Sequence, residues 1–399
     1  MKKHLWLCSL LTVCAVGGEL GDILSHYKET MLRYDRERSD VESDKLERSW
    51  INPIRLQYTK SYNTQFRNQT IGLGNFSVVI DQPIFRSGGI YNAIKYAKAW
   101  RHLQHSQIKL QRNQLIAQAV EILFNLKKNR LMQAKLRHQI ANDVIDIRQK
   151  KERYEAGVLD SSFLDQAILK KSRDEVSLLE LKQAALELRR SFSLLSDKKP
   201  ESIKLPTLRL IPKKRFESRH LELKRDRQEA DTQRYQYRMT VAKYLPALSV
   251  QGTYTDGDLN PLWSGIGGAL KERYYNYGFR IAMPLDINTM DDIESSKLAK
   301  LRAQVKALDT KRVVDEEYRW IGDALRILDR KIALAKKDER IYANLYKVTR
   351  NLVKAGEKTR DDAEVMRHSL QIRKLDRQIY AIEKQLWLLK LYAKVEDAF

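Results

Sequence analysis

The sequence predicts an α+β fold in which long antiparallel coiled-coil helical hairpins alternate with pairs of β-strands. Three observations in the 399-residue chain lead to this prediction. Two long blocks contain no proline, the spacing of apolar residues changes from a helical to a strand period between them, and the same landmarks occur twice. Together they indicate that one unit of helix, strand pair and hairpin has been duplicated.

Each proline-free block is predicted to fold as a helical hairpin. The blocks are residues 84–199 and 285–399, and proline is excluded from helix interiors because it lacks an N–H group. Each block contains one Ala-Gly pair, and glycine readily adopts the left-handed conformation that ends helices. Gly157 and Gly356 are therefore the predicted hairpin turns. The arm before each turn is long enough for about 100 Å of helix at about 1.5 Å per residue.

Apolar residues along the second arm of each hairpin step alternately by three and four positions, which is the coiled-coil period. This spacing predicts packing against neighbouring helices with a left-handed supercoil. The two predicted packing seams are Leu178, Leu181, Ala185, Leu188, Phe192 and Leu195 in the first hairpin and Ile372, Leu375, Ile379, Ile382, Leu386 and Leu389 in the second.

Apolar and polar residues alternate between the helical blocks, which predicts strands with one apolar face. Pro83 and Pro284 are expected at transitions from strand to helix, and polar loops are expected from Thr64 to Asn75 and from Asp256 to Arg273. The predicted strands cover residues 54–62, 76–81, 248–255 and 275–283.

The apolar strand faces are rich in tyrosine, which suits a transmembrane β-barrel with lipid outside and water inside. A half-buried sheet in a soluble protein is the alternative. Four strands cannot close a barrel, because the smallest barrels use about eight, and open sheet edges do not occur in lipid. The chain is therefore predicted to be an α+β membrane protein that oligomerises.

Residues 1–18 are predicted to be a secretory signal peptide, because two lysines precede an apolar stretch that ends in small residues. Cleavage is expected near Gly17 or Gly18. Both cysteines, Cys8 and Cys14, lie in this segment, so the mature chain is expected to contain no thiol. Lipidation of Cys14 is disfavoured by the bulky Val13 before it but remains the alternative.

The landmarks of the two halves have nearly equal spacing, which predicts an internal duplication. Residues 19–206 form the first predicted repeat and residues 207–399 the second, each with a helix, a strand pair and a long helical hairpin. The matching landmarks are Pro53 with Pro246, Pro83 with Pro284, and Gly157 with Gly356.

The formal net charge is +23, yet the basic residues are interleaved with acidic ones rather than clustered in a nucleic-acid-binding motif. No nucleic-acid partner is expected. The sequence contains no catalytic motif such as GxSxG or HExxH, so no enzyme activity and no cofactor are expected. His102 and His105 are the only close pair of histidines, and this exposed pair is not expected to bind a metal.

Short motifs at the strand–helix junctions and at the first hairpin resemble the TolC-like outer membrane efflux protein family, across essentially the whole mature chain. The resemblance implies a homotrimer whose twelve-stranded barrel lies in outer-membrane lipid of a Gram-negative bacterium. It also implies a helical periplasmic tunnel that docks with a periplasmic adaptor and an inner-membrane transporter, as the exit duct of tripartite efflux or type I secretion. A periplasmic coiled-coil adaptor, or a structural protein of an export complex, is the alternative. The motifs are Asp81–Gly89 (DQPIFRSGG), Met283–Asp286 (MPLD), Tyr244–Ser249 (YLPALS) and Arg153–Gly157 (RYEAG).

The resemblance implies that acidic residues just after Gly356 narrow the periplasmic mouth. Asp362 lies at the matching position, with Asp361 and Glu364 beside it, while a second family aspartate is replaced by Val365. In a symmetric assembly, one aspartate per chain forms a ring of negative charge that binds cations. The alternative is that the two aspartates favour the first turn of the following helix.

Lys358 matches a family arginine near the second turn, and the resemblance implies that it pairs with Asp160 or Asp165 of a neighbouring hairpin. In the first hairpin, Phe163 stands at the position equivalent to Asp362. The positive net charge suggests the hypothesis that basic helix faces line the tunnel and favour anionic cargo.

Overall fold

The computed structural model describes residues 21–66, 69–258 and 271–397. The predicted signal peptide, with Cys8 and Cys14, lies outside these residues, as does most of the predicted second loop. The chain forms two compact units, each of which draws on both halves of the sequence. Unit 1 combines the chain up to Arg33 with Ile108–Glu222 and the chain from Arg312 onward, and unit 2 combines Tyr34–Gln107 with Leu223–Lys311.

The same order of elements occurs twice along the chain. The first half contains helix α1 (His26–Glu47), strands β1 (Arg55–Phe66) and β2 (Gln69–Phe85), and helices α2 (Gly89–Glu155) and α3 (Ser161–Ser193). A short 3-10 turn (Pro200–Ser202) and helix α4 (Lys213–Ser218) follow. The second half contains α5 (Leu221–Lys243), β3 (Ala247–Gly257), β4 (Arg273–Ala282), α6 (Thr289–Lys354) and α7 (Arg360–Tyr392).

The two predicted helical hairpins are confirmed, with arms of unequal length. The first arms α2 and α6 have 67 and 66 residues, which corresponds to about 100 Å of helix. The return arms α3 and α7 have 33 residues each. Every residue of both predicted packing seams is buried or half-buried, so the seams are confirmed as well. Within the described segments, none of the helices combines the length and the apolar character needed to cross a bilayer.

The core of unit 1 lies where the second arm of the first hairpin ends and α4 begins. Phe192 at the end of α3 and Phe216 in α4 are fully buried, together with Ile321 of α6 and Leu391 of α7. Burying a side chain of this size stabilises a fold by about 1.5–3 kcal/mol. This cluster therefore anchors the ends of the return arms, whereas the hairpin tips contribute none of its side chains.

Unit 2 contains one antiparallel sheet with the strand order β1-β2-β3-β4. The register aligns the apolar residues of all four strands on one face, for example Tyr58 opposite Phe76, and Tyr254 opposite both Val78 and Tyr275. The predicted alternation is thus confirmed. Most large apolar side chains on this face are exposed in the single chain, and Tyr277 on β4 is 85% exposed.

Two predictions about the first strand pair are wrong in detail. The segment from Thr64 to Asn75 was expected to be a loop, but β1 continues to Phe66 and β2 begins at Gln69. Its polar residues and glycines pair across a hairpin, with Tyr62 opposite Gly72. Pro83 lies inside β2, not at its end. It stands beyond the last residue that pairs with β1, where the missing N–H group costs no ladder hydrogen bond on that side.

Candidate functional site at the hairpin tips

Both hairpins turn at a glycine in the left-handed conformation. Gly157 has φ 71° and Gly356 has φ 81°, a region that residues with a Cβ atom rarely adopt. The N–H of Val158 donates to the carbonyl of Arg153 at 2.9 Å, and an equivalent bond closes the second hairpin. This is the Schellman arrangement, which satisfies carbonyls that would otherwise lack partners at the helix end. The two tips therefore have the same backbone construction.

The first helical turn after each tip is capped in a different way. Asp160 caps α3, because its carboxylate accepts a hydrogen bond from the N–H of Ser162 at 2.8 Å. Hydrogen bonds from Ser162 hold the pKa of Asp160 below its usual value. Phe163, at the third helical position, has no polar side chain that could accept a hydrogen bond from the N–H of Asp160. The first hairpin therefore has the N-cap hydrogen bond but no capping box.

The second hairpin has a complete capping box between Thr359 and Asp362. The N–H of Asp362 donates to Thr359 Oγ1 at 3.2 Å, while the Asp362 carboxylate accepts from the N–H of Thr359 at 3.0 Å. The backbone and side-chain hydrogen bonds from Thr359 lower the pKa of Asp362, and the charges of Lys358 and Arg153 act in the same direction. Asp362 is therefore an ionised residue held in place by its own helix.

Asp361 connects the second hairpin to the first. Its carboxylate accepts from both Nε and Nη2 of Arg148 on α2, with an Nε to oxygen distance of 3.1 Å. Two parallel N–H to oxygen bonds fix direction as well as distance. The start of α7 is thus attached to the end of α2 near both tips.

Further polar contacts join α2 and α7 above this ion pair. Their α7 members are seven or eight residues apart, and the α2 partners follow in the reverse order, so the contacts follow a single antiparallel contact line. The contacts are Lys128 with Glu383 at 2.6 Å, Lys135 with Asp376 at 2.7 Å, and the rings of His138 and His368 with their centroids 5.4 Å apart.

The helices of unit 1 form an array in the order α3, α2, α7, α6. On one flank, the Asn129 side chain of α2 donates to the carbonyl of Leu181 on α3 at 2.9 Å. On the other, Arg377 of α7 contacts Glu339 of α6 at 2.8 Å. The outer helices α3 and α6 each leave a row of large apolar side chains exposed. The rows are Leu169, Val176, Leu179 and Leu186 on α3, and Val313, Trp320, Ile327, Leu334, Ile341 and Val348 on α6.

Solved structures of outer-membrane channels have the same architecture. The outer membrane protein VceC of Vibrio cholerae aligns with a TM-score of 0.74 at 14% identity, over 92% of either chain. The Campylobacter jejuni CmeC outer membrane channel aligns with a TM-score of 0.75 at 14% identity, over 96% of this chain and 85% of that one. The Neisseria gonorrhoeae MtrE outer membrane channel, in its open state, gives 0.63 at 12%, over 93% and 86%. This chain has the TolC-like channel fold. No family model and no curated protein matches the sequence.

The TolC-like fold brings most of the predicted mouth residues to the hairpin tips, in roles that differ. Asp160 and Asp362 cap helices, Asp361 binds Arg148, and Glu364 contacts Arg367 of its own helix at 3.4 Å. Lys358 and Asp165 also lie at the tips. Neither forms an ion pair with another described residue. In the single chain, Asp361 and Asp362 thus lie in the first turn of α7, as the alternative to a charge ring predicts. A ring of charge would form only on assembly.

The TolC-like fold also contains contacts that the sequence did not predict. Arg148 is separated from Asp361 by 213 positions, and no local pattern links them. The capping box, by contrast, has a sequence signal, namely a threonine followed three residues later by an acid. His105, from the histidine pair considered above, is bound to Asp40 at 2.8 Å. No group of three or more metal-ligating residues occurs in the described ranges.

The two roles of Asp362 can be separated with two variants. Thr359→Ala removes the cap but keeps the charge, and should reduce helix stability by about 1 kcal/mol. Asp362→Asn removes the charge. In planar bilayers we expect Asp362→Asn to lower cation selectivity and divalent-cation block, and Thr359→Ala to leave both unchanged. Equal effects of the two variants would assign Asp362 to capping alone.

Stability is expected to fall in mild acid because of His138 and His368. Burial lowers the pKa of both histidines, and the charge of Arg367 lowers it further. An unfolded histidine takes up its proton near pH 6.5, so below about that pH the unfolded chain binds more protons than the folded one and the free energy of unfolding decreases. The decrease should end once pH is below the folded pKa values. Melting curves between about pH 7.5 and 5.5 should show a smaller slope for His138→Gln/His368→Gln than for the control His102→Gln.

Proposed function

We propose that three copies of this chain form an outer-membrane channel with a periplasmic helical tunnel. The assembly serves as the exit duct of a tripartite efflux or type I secretion system, and docks with a periplasmic adaptor and an inner-membrane transporter. The observation that supports this proposal most strongly is that each unit has two opposite edges without a partner among the described residues of the single chain. In unit 1 these are the apolar rows of α3 and α6, and in unit 2 they are the outer edges of β1 and β4. Such an element closes on itself only when copies are arranged in a ring.

The helical array supports a ring through its two apolar edges. The α6 row repeats every seven residues, and its side chains are between 44% and 59% exposed. A coiled-coil seam requires this repeat on both partners, and the α3 row provides the second seam at the opposite edge of the array. In a ring, α6 of one copy packs against α3 of the next. This contact buries the α3 row and the part of the α6 row that lies beside it.

The sheet supports the same arrangement. Within the described residues, β1 and β4 each pair on one edge only, and open edges are not tolerated in lipid. In the proposed trimer, β4 of one copy pairs with β1 of the next, which gives twelve strands. The shared face with Tyr58, Tyr275 and Tyr277 is then directed to lipid, and the opposite face, with the Asp81–Arg280 ion pair, lines the lumen.

The hairpin tips form the periplasmic mouth in this proposal. Asp362 of each copy contributes to an acidic ring, and the Arg148–Asp361 pair restrains the second hairpin against the first within each copy. Separation of that pair widens the mouth. The mouth is widest when α7 has moved away from α2, because these two helices form the contacts between the hairpins.

Cell fractionation followed by conductance measurement tests the proposed function. We expect the protein in the outer membrane as a detergent-extracted trimer that forms ion-conducting channels in planar bilayers. A monomer released from the periplasm by salt would contradict the channel proposal and favour the adaptor alternative. A detergent-extracted trimer without conductance would contradict the role as a duct.

A further inference from the structure

Two histidines face each other between the hairpins of one chain. The rings of His138 on α2 and His368 on α7 are inclined by 40° to each other with centroids 5.4 Å apart. Both side chains are half-buried. Neither is needed for the channel proposed above, and among the described residues neither binds a carboxylate as His105 binds Asp40. The pair is therefore a separate cluster of metal-ligating groups.

Asn142 orients one of these rings. Nδ1 of His368 lies 3.0 Å from Oδ1 of Asn142, and because a carbonyl oxygen only accepts hydrogen bonds, Nδ1 carries the proton. Nε2 then keeps its lone pair. Metal-ligating histidines commonly donate their other ring N–H to an oxygen in this way, which fixes both the tautomer and the ring orientation. Asn142 lies one helical turn after His138, so both residues belong to the same face of α2.

The charges around the pair permit a cation to bind. Arg367 Nη2 lies 3.3 Å from Nε2 of His368 and donates a hydrogen bond to the lone pair there, so Arg367 must move away before a metal binds. Arg367 also contacts Glu364 at 3.4 Å. The Arg367 side chain is exposed by 51%, so it has room to swing away into solvent. Glu364 lies one turn before His368 and offsets the positive charge.

We propose that His138 and His368 together bind a divalent transition-metal ion, of which Zn²⁺ is the best probe. At a metal–nitrogen distance of about 2.0–2.1 Å, two rings with centroids 5.4 Å apart are close enough for both to bind one ion when a nitrogen of each is directed to it. No third His, Cys, Asp or Glu completes a cluster in the described part of the chain. Water supplies the other positions, and the ion exchanges readily. Bound Zn²⁺ cross-links α2 and α7 above the Arg148–Asp361 pair.

Calorimetric titration of the purified full-length protein with Zn²⁺ tests this proposal independently of channel function. The buffer contains excess Ca²⁺, because this hard cation occupies carboxylates, including any ring at Asp362, but not imidazoles. We expect one Zn²⁺ per chain. His138→Gln and His368→Gln should each weaken binding by at least about tenfold, and Asn142→Leu by about tenfold.

Two control variants keep the test specific. His102→Gln and His105→Gln remove the other close histidines and should bind Zn²⁺ as the unaltered protein does. Melting temperatures without metal show that each variant is folded. The affinity for Zn²⁺ should also decrease as the pH is lowered, because the histidines then take up protons. The proposal is overturned if the protein binds no Zn²⁺ in excess Ca²⁺, if both histidine variants bind it normally, or if binding does not change with pH.

Discussion

Replacing Ile327 with glutamate is expected to abolish assembly, so that the purified protein is monomeric and forms no channels. Ile327 lies in the middle of the exposed α6 row, between Trp320 and Leu334. In the proposed ring this position becomes buried against α3 of the next copy. An unpaired carboxylate buried there costs several kcal/mol at each of the three interfaces. Native mass spectrometry in detergent measures the outcome.

Two companion variants make this experiment specific. Leu179→Glu places the same charge in the α3 row and should also give monomers, because that row is the other half of the proposed seam. Lys336→Glu introduces a glutamate on α6 at an exposed position outside the row and should remain trimeric. A trimeric Ile327→Glu protein would show that the exposed α6 row is not the contact between copies.

Replacing Arg148 with glutamate is expected to open the periplasmic mouth. The change converts the bidentate attraction between Arg148 and Asp361 into a repulsion between two carboxylates at the start of α7. Because every copy in the proposed trimer carries the same pair, three restraints are lost together. We expect the single-channel conductance in planar bilayers to rise severalfold over that of the unaltered protein.

A charge exchange identifies the cause of this effect. Arg148→Glu combined with Asp361→Arg restores the ion pair with the acid and the base exchanged, and should return the conductance towards its original value. Arg137→Glu, at another exposed position on α2, should leave conductance unchanged. If the exchange does not lower the conductance again, the pair is not the restraint. If Arg137→Glu raises the conductance equally, the cause is the change in net charge on α2 and not the loss of the Arg148–Asp361 pair.

Local features of the fold were predictable because the residues responsible for them are close in sequence. Gly157 and Gly356 mark the turns, since glycine takes the left-handed conformation at little cost. The 3.5-residue period likewise places Phe192 and Leu389 in buried seams. The strand pair extends further than expected, and at Gly72 a Cβ atom would lie 3.2 Å from the ring of Tyr62 on the opposite strand. This cross-strand packing has no signal in the local sequence.

Contacts between hairpins were not predictable, because the register between two helices is set by their packing. The family resemblance places Asp361 at the mouth, but nothing near it in the sequence indicates that Arg148 is its partner. The same holds for Lys128 with Glu383 and for the histidine pair. A single sequence also does not distinguish an acid that caps a helix from one that points into a lumen, and at Asp362 the capping box is the role that one chain contains.

The seven-residue repeat on α6 has a mechanical consequence. A straight helix has 3.6 residues per turn, so a strict heptad row drifts by about 20° per heptad, or about 100° between Val313 and Val348. The row stays in contact with a neighbour only if the helices wind around each other. When two helices are wound around each other, a sliding movement at one end of their seam is expected to rotate the helices along its length. In the proposed ring, the copies are therefore expected to turn together when the tunnel widens.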